Sequence, residues 1–113
     1  MNQTLQLSNV FEVDLHGAYI RRATLRGAVL DRANLSHANC SGADFSFTRL
    51  RHANLQNADF TNANLIGADF DGANLNGTIL IGANMTDAKG LTSDQVKSAI
   101  IDASTKLPKD FAP

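Results

Sequence analysis

The groups in this chain that could carry chemistry are few. Three histidines (His16, His37 and His52), one cysteine (Cys40) and eleven carboxylates are the raw material for a metal centre, a thiolate nucleophile or an acid–base pair. Six arginines, Arg21, Arg22, Arg26, Arg32, Arg49 and Arg51, crowd into residues 21–51 and are the raw material for a phosphate or carboxylate contact. No G-x-S-x-G and no phosphate-binding glycine loop accompanies them. No spacing of His with Cys or carboxylate completes a ligand set. A single cysteine excludes an internal disulfide.

The elements that position these groups must be small, because 113 residues make one domain. A net charge of −1 gives no general attraction to nucleic acid or to an anionic membrane. No apolar run approaches the roughly 18 residues of a membrane span. The opening MNQTLQLSNVFEVDL has neither the basic start nor the apolar core of an export signal, so the expected compartment is the cytoplasm by default. Trp is absent and aromatics are sparse, which disfavours a stacking platform for bases or sugars.

One regularity dominates the chain. Every fifth residue from Val10 is apolar: Leu15, Ile20, Leu25, Leu30, Leu35, Cys40, Phe45, Leu50, Leu55, Phe60, Leu65, Phe70, Leu75, Leu80 and Met85. Two residues before each, from Ala18 to Ala88, stands Ala, replaced only by Thr48 and Thr78. On a helix a five-residue step scatters around the cylinder, and on a flat strand an odd step alternates faces. A chain that turns a corner every five residues puts every central residue inside, with Ala beside it where space is short. Gly17, Gly27, Gly42, Gly67, Gly72, Gly77 and Gly82 lie two residues after a central position, as do Asn57 and Asn62. A turn spanning the central residue, the next two and the following Ala makes this slot its third residue, where a type II turn needs φ > 0. Arg22, Arg32, His37, Phe47 and His52 hold the same slot, so mixed turn geometries are expected.

The tandem A(D/N)LxG pattern, for instance ANLIGADFDGANLNG over residues 63–77, resembles the pentapeptide-repeat family across about residues 8 to 89. The resemblance implies an all-β solenoid, a right-handed quadrilateral β-helix with four units per coil and about four coils. The expected organisation is an N-terminal capping segment at 1–9, with Leu5 and Leu7 in an irregular strand, the β-helix at 10–89, and a C-terminal helix and tail at 91–113. Thr92 and Gln95 form a capping-box pattern, and Val96, Ala99, Ile100, Ala103 and Leu107 fall at helical spacing. A short α-helix over about 93–104 is therefore expected to cap the open end.

Four units per coil stack residues twenty apart. Asp31, Arg51 and Asp71 then form one column and Arg49, Asp69 and Lys89 another, both read as cross-strand ion pairs. Asn34, Asn54 and Asn74 beneath Asp14 read as an amide ladder. The histidines fall in outward slots and read as surface groups, and Cys40 reads as a small core residue. Arg21, Arg22, Arg26 and Arg32 have no acid stacked on them; they form either an ordinary solvated surface or a basic rim for a partner, though they sit on different sides of the square. Among outward apolar residues, Phe47, Ile79 and Ile81 are candidate partner contacts; Leu107 and Phe111 of the tail are the alternative cover for the two isoleucines.

With no catalytic, metal or cofactor set, the expected function is a non-enzymatic structural or protein–protein interaction module, monomeric or homodimeric. A partner, if there is one, is expected to be an unidentified protein; no membrane role is expected, and nucleic acid is a poor fit. The alternative implied by the resemblance is a DNA-mimic rod binding a topoisomerase such as DNA gyrase. Against it stand eight acids opposed by six arginines in the repeat zone, with a basic start.

Overall fold

A computed structural model describes residues 3–4 and 12–111 of the chain. Four ladders of parallel bridges join residues twenty apart. They run Asp14–Asn34–Asn54–Asn74, Tyr19–Asn39–Asp59–Ile79, Thr24–Asp44–Asn64–Asn84 and Val29–Arg49–Asp69–Lys89. Each of these bridge residues except Lys89 stands just before a central apolar residue. One turn of the coil therefore has four sides of five residues, named here after Leu35, Cys40, Phe45 and Leu50.

The repeat follows from where the backbone donors of one side go. On the Leu35 side, the Ala33 N–H closes the corner onto the Leu30 carbonyl (3.0 Å). The Asn34 N–H reaches the coil before, at Val13 (2.8 Å), while Leu35 and His37 donate to the coil after, at Asn54 and Gln56 (2.7 and 2.9 Å). Only the Ser36 N–H points outward, and the Asn34 side-chain oxygen two residues back accepts it at 3.0 Å. All five N–H groups are thus paired, as a chain with little regular strand requires. This also explains why Asn or Asp precedes most central residues: a short acceptor there satisfies the one donor that the ladders leave over.

The corners are uniform, and here the structure departs from the expectation of mixed turns. Every slot residue from Glu12 to Asp87 has positive φ, including Arg22 (61°), Arg32 (62°), His37 (62°), Phe47 (60°) and His52 (59°). The reason lies in the ladder, since the slot N–H from Glu12 to Gly67 aims at a carbonyl of the next coil, as Arg22 does at Ser41 and His52 at Asp71. Side chains other than Gly accept the left-handed region because the stack requires it, at roughly 1–2 kcal/mol each.

Inside, Ile20, Leu25, Leu30, Leu35, Cys40, Phe45, Leu50, Leu55, Phe60, Leu65, Phe70, Leu75, Leu80 and Met85 are buried, with the companion alanines from Ala23 to Ala83 between them. Leu15, at the first described coil, is half-buried. Phe45 and Phe60 meet edge to face with centroids 5.0 Å apart. Thr48 and Thr78 stand where Ala is the rule, yet both are buried with their hydroxyls satisfied. Thr48 Oγ1 donates to the Phe45 carbonyl and Thr78 Oγ1 to that of Leu55.

At the N-terminal end, β1 (Gln3–Thr4) pairs in parallel with β2 (Ala23–Thr24), in the same twenty-residue register. The expected cap at 1–9, with Leu5 and Leu7, and the first central position Val10 otherwise lie outside the described residues. At the C-terminal end, helix α1 spans Ser93–Ser98, not 93–104. Its start has the expected capping box: Thr92 Oγ1 accepts from the Gln95 N–H, and the Gln95 side chain accepts from the Thr92 N–H. It stops because the last full coil offers unpaired backbone groups that an extended chain satisfies better. The Ser98 carbonyl takes the Gly77 N–H, Ile100 pairs with Thr78 and Leu80, and Lys106 pairs with Ala83 and Met85. Ile100 and Ala103 are consequently exposed, outside any helix, while Leu91, Ala99 and Leu107 pack on the core. The tail is a fifth, irregular coil with one side replaced by α1.

Candidate functional site

The four sides differ sharply in how much of their own polarity they satisfy. On the Leu35 side, Asp14, Asn34, Asn54 and Asn74 each accept the N–H two residues ahead. The expected amide ladder is thus replaced by local turns, because the outward N–H lies closer than the next coil's amide. His16 and His37 meet edge to face at 5.7 Å. No group of three potential ligands for a metal ion occurs among the described residues.

The Leu50 side carries the ion pairs, partly in a different pattern from the columns expected. Asp31 pairs with Arg49 at 2.5 Å, on the neighbouring column. Arg51 reaches Asp71 at 3.3 Å and Asp69 at 4.0 Å. Arginine is long enough to cross between columns, and the half-buried Asp69 and buried Asp31 draw it diagonally. Arg32 lies on the corner of this side, exposed.

On the Phe45 side, Arg26 donates to Ser46 Oγ at 3.1 Å and its guanidinium stands 4.8 Å over the Phe47 ring. Phe47 in turn lies across Gly67: a Cβ at that glycine would fall 2.6 Å from the ring. Two candidate contacts therefore stack on each other while both stay exposed.

The Cys40 side is different. Arg21, Arg22, Asn39, Ser41, Gly42, Asp59, Thr61 and Asn62 line a surface groove of about 470 Å³. Among the described residues neither arginine meets a carboxylate within ion-pair distance. Asp59 Oδ1 accepts from the Thr61 N–H and hydroxyl, at 2.9 and 2.6 Å, and Oδ2 has no partner among the described residues. Ile79 and Ile81 continue the same side beyond the groove; both are half-buried. Ile79 is flanked by the tail through its bridge to Ile100, where Leu107 and Phe111 were the expected cover. Tyr19, 69% exposed, stands beside Arg21 at the other end. Cys40 lies under this surface with its thiol pKa pushed far up, by burial first and then by the Asp59 charge.

Backbone pairing is incomplete on three of the four sides. Where Tyr19 and Ile79 take the place of Asn or Asp, the outward N–H groups of Arg21 and Ile81 find no acceptor among the described residues. The same holds at Arg26, Asp31 and Arg51, which follow Thr24, Val29 and Arg49. The polar floor of the groove and these bare donors escape a reading of charge alone. The signal for them is the set of departures from Asn or Asp before the central residue.

Family comparison agrees with this architecture. A family model described as pentapeptide repeats (8 copies) matches residues 11–39 and 38–77. The chain belongs to the pentapeptide-repeat family. Among solved structures it is similar to the pentapeptide repeat protein Rfr23 from the cyanobacterium Cyanothece 51142. That match has 21% identity and a TM-score of 0.69, and it covers 93% of this chain and 88% of that one. A pentapeptide repeat protein from Nostoc Pcc 7120 is 28% identical over 89% of this chain and 74% of its own, with a TM-score of 0.49. No curated protein matches the sequence.

Proposed function

We propose that this chain is a right-handed quadrilateral β-helix working as a non-enzymatic protein-interaction module, with the Cys40 side as its contact face. One observation carries the reading. The Leu50 side pairs Arg49 and Arg51 with its carboxylates and Arg26 lies against Ser46 and Phe47, whereas the Cys40 side gathers Arg21 and Arg22, unpaired among the described residues, a polar groove and the Ile79–Ile81 pair along one line. Among the described residues the filled core leaves no interior pocket for a substrate, and nothing in the groove pairs a nucleophile with a base. The DNA-mimic alternative is poorly supported, because a cationic face is a poor imitation of a phosphate backbone.

The test is a photo-crosslinking scan with benzoylphenylalanine in place of Thr61, Gln56, Thr86 or Asp71, one residue per side, in extract of the source cells. Protein adducts are expected from position 61. Adducts from the other three positions at equal yield, or none from 61, refute the assignment of the face.

A further inference from the structure

We infer that the groove receives an extended peptide segment of a particular charge order, a proposal that rests on the Cys40 side being the contact face. An acidic side chain of the peptide lies on Arg21 and Arg22, a basic one meets Asp59, and an aliphatic one follows against Ile79 and Ile81.

The order comes from the rod itself. Along the Cys40 side the exposed groups read cation, hydroxyl and amide, carboxylate, then aliphatic, each step one coil further on. Coils stack at about 4.8 Å, so Arg21 and Asp59, two coils apart, are separated by about 10 Å. An extended chain rises about 3.3 Å per residue, which puts the acid and the base about three residues apart, and four where both side chains are to face the groove. The apolar position follows one to two residues later.

Three features favour a peptide over a small anion. First, Asp59 presents a carboxylate oxygen with no partner among the described residues, in the same groove as the arginines, so a plain anion meets repulsion that a cation-bearing ligand converts into attraction. Second, the outward N–H of Arg21 within the groove and that of Ile81 beyond its far end have no acceptor among the described residues and are placed to meet main-chain or carboxylate oxygens. Third, the floor is nearly fixed: Ser41 Oγ donates to Asn39 Oδ1, and Thr61 Oγ1 to Asp59 Oδ1. Little side-chain ordering is then left for binding to oppose. Arg22 is also held at φ 61°, with its stem packed 3.3 Å from where a Cβ of Gly42 would sit, so its guanidinium starts from a constrained stem.

The experiment uses the full chain and fluorescein-labelled acetyl-Gly-Glu-Ser-Gly-Ser-Lys-Ser-Leu-Gly-amide, together with the same sequence reversed, read by fluorescence anisotropy. A third and a fourth peptide carry Gln for Glu, and Ser for Lys. One direction is expected to bind saturably. Replacing its Glu by Gln weakens it about tenfold. The Arg21→Ser/Arg22→Ser variant weakens the parent peptide by the same factor, and the Gln peptide hardly further. Asp59→Asn, which keeps the acceptor for Thr61, costs several-fold with the parent peptide and nothing with the Ser-for-Lys peptide. Circular dichroism of each variant must match the unaltered protein. The proposal is overturned if neither direction saturates by about 1 mM, or if binding ignores the charge changes. Adducts at position 61 that the peptide does not compete away would leave the contact face standing and sink this charge order alone.

Discussion

Replacing Gly67 by Ala should cost more than the same change at Gly27, and the excess should belong to Phe47. Both glycines occupy the same corner slot, with φ of 67° and 72°. At Gly27 a Cβ meets nothing within 4 Å among the described residues; at Gly67 it falls 2.6 and 2.7 Å from two Phe47 ring carbons. The left-handed backbone costs Ala about 1–2 kcal/mol at either site. Loss of glycine's freedom in the unfolded chain returns about 0.4–1 kcal/mol at both. At Gly67 the ring must also retreat by about 1 Å to reach an ordinary carbon contact of roughly 3.5–4.0 Å. Phe47 is 51% exposed, so it can swing out, but it then leaves Arg26 and forfeits about 0.5–1 kcal/mol of cation–π attraction. Gly67→Ala is thus expected to exceed Gly27→Ala by about 0.5–1.5 kcal/mol. In a Phe47→Ala background the excess should vanish. Urea unfolding followed by far-UV circular dichroism, with the slopes compared to confirm that the whole rod melts together, measures all of these. Equal costs at the two glycines, or an excess that survives without the aromatic ring, would refute the stacking argument.

Three other outcomes follow from the same coordinates. Cys40 should resist alkylation in the native protein even at mildly alkaline pH, since burial and the Asp59 charge both disfavour its thiolate, and labelling should speed up only as denaturant unfolds the rod; rapid native labelling would show the coil breathing open there. Gln95→Ala should cost about 1–2 kcal/mol and raise amide exchange across Ser93–Ser98, because Gln95 Nε2 donates to the Phe70 and Ala73 carbonyls while its oxygen completes the cap; exchange unchanged in α1 would contradict that role. Arg49→Met should destabilise by about 1–3 kcal/mol, more than Arg32→Met, since it leaves the buried Asp31 carboxylate without its cation; equal melting of the two variants would place the Asp31 charge in water.

Much of this architecture could be read from spacing, because a five-residue period constrains every residue in the same way. Leu35, Leu55 and Leu75 recur at a step no helix or flat strand can use, and they lie above one another in the core. Corner geometry was harder to read. Local propensity separates Gly from Arg or His at the slot, but the inter-coil hydrogen bond of that N–H overrides propensity, so Arg22 and His52 take the conformation of Gly17. The tail misled for a related reason. Ile100 and Ala103 have helical spacing, and α1 begins where its cap says, but the last coil's unpaired backbone groups claim Ile100 as a strand. The columns of charge were visible, yet their diagonal pairing depends on arginine reach and on the burial of Asp31. The groove required knowing which outward N–H groups lack an acceptor, a property of the departures at Tyr19 and Ile79 and not of any motif.

The equivalence of the four sides governs how such a chain can change length. Losing or gaining one five-residue word leaves the interior filled but turns everything downstream through a quarter revolution. Ile79 and Ile81 would then swing onto a different wall from Arg21 and Arg22, and the groove would be cut in two while every central inward slot still held an apolar side chain. Only a change of twenty residues restores the alignment. Filling of the core and alignment of the Cys40 side therefore tolerate different indels, and a five-residue deletion between Gly42 and Asp59 is expected to keep the core filled while placing Arg21 and Asp59 on different walls.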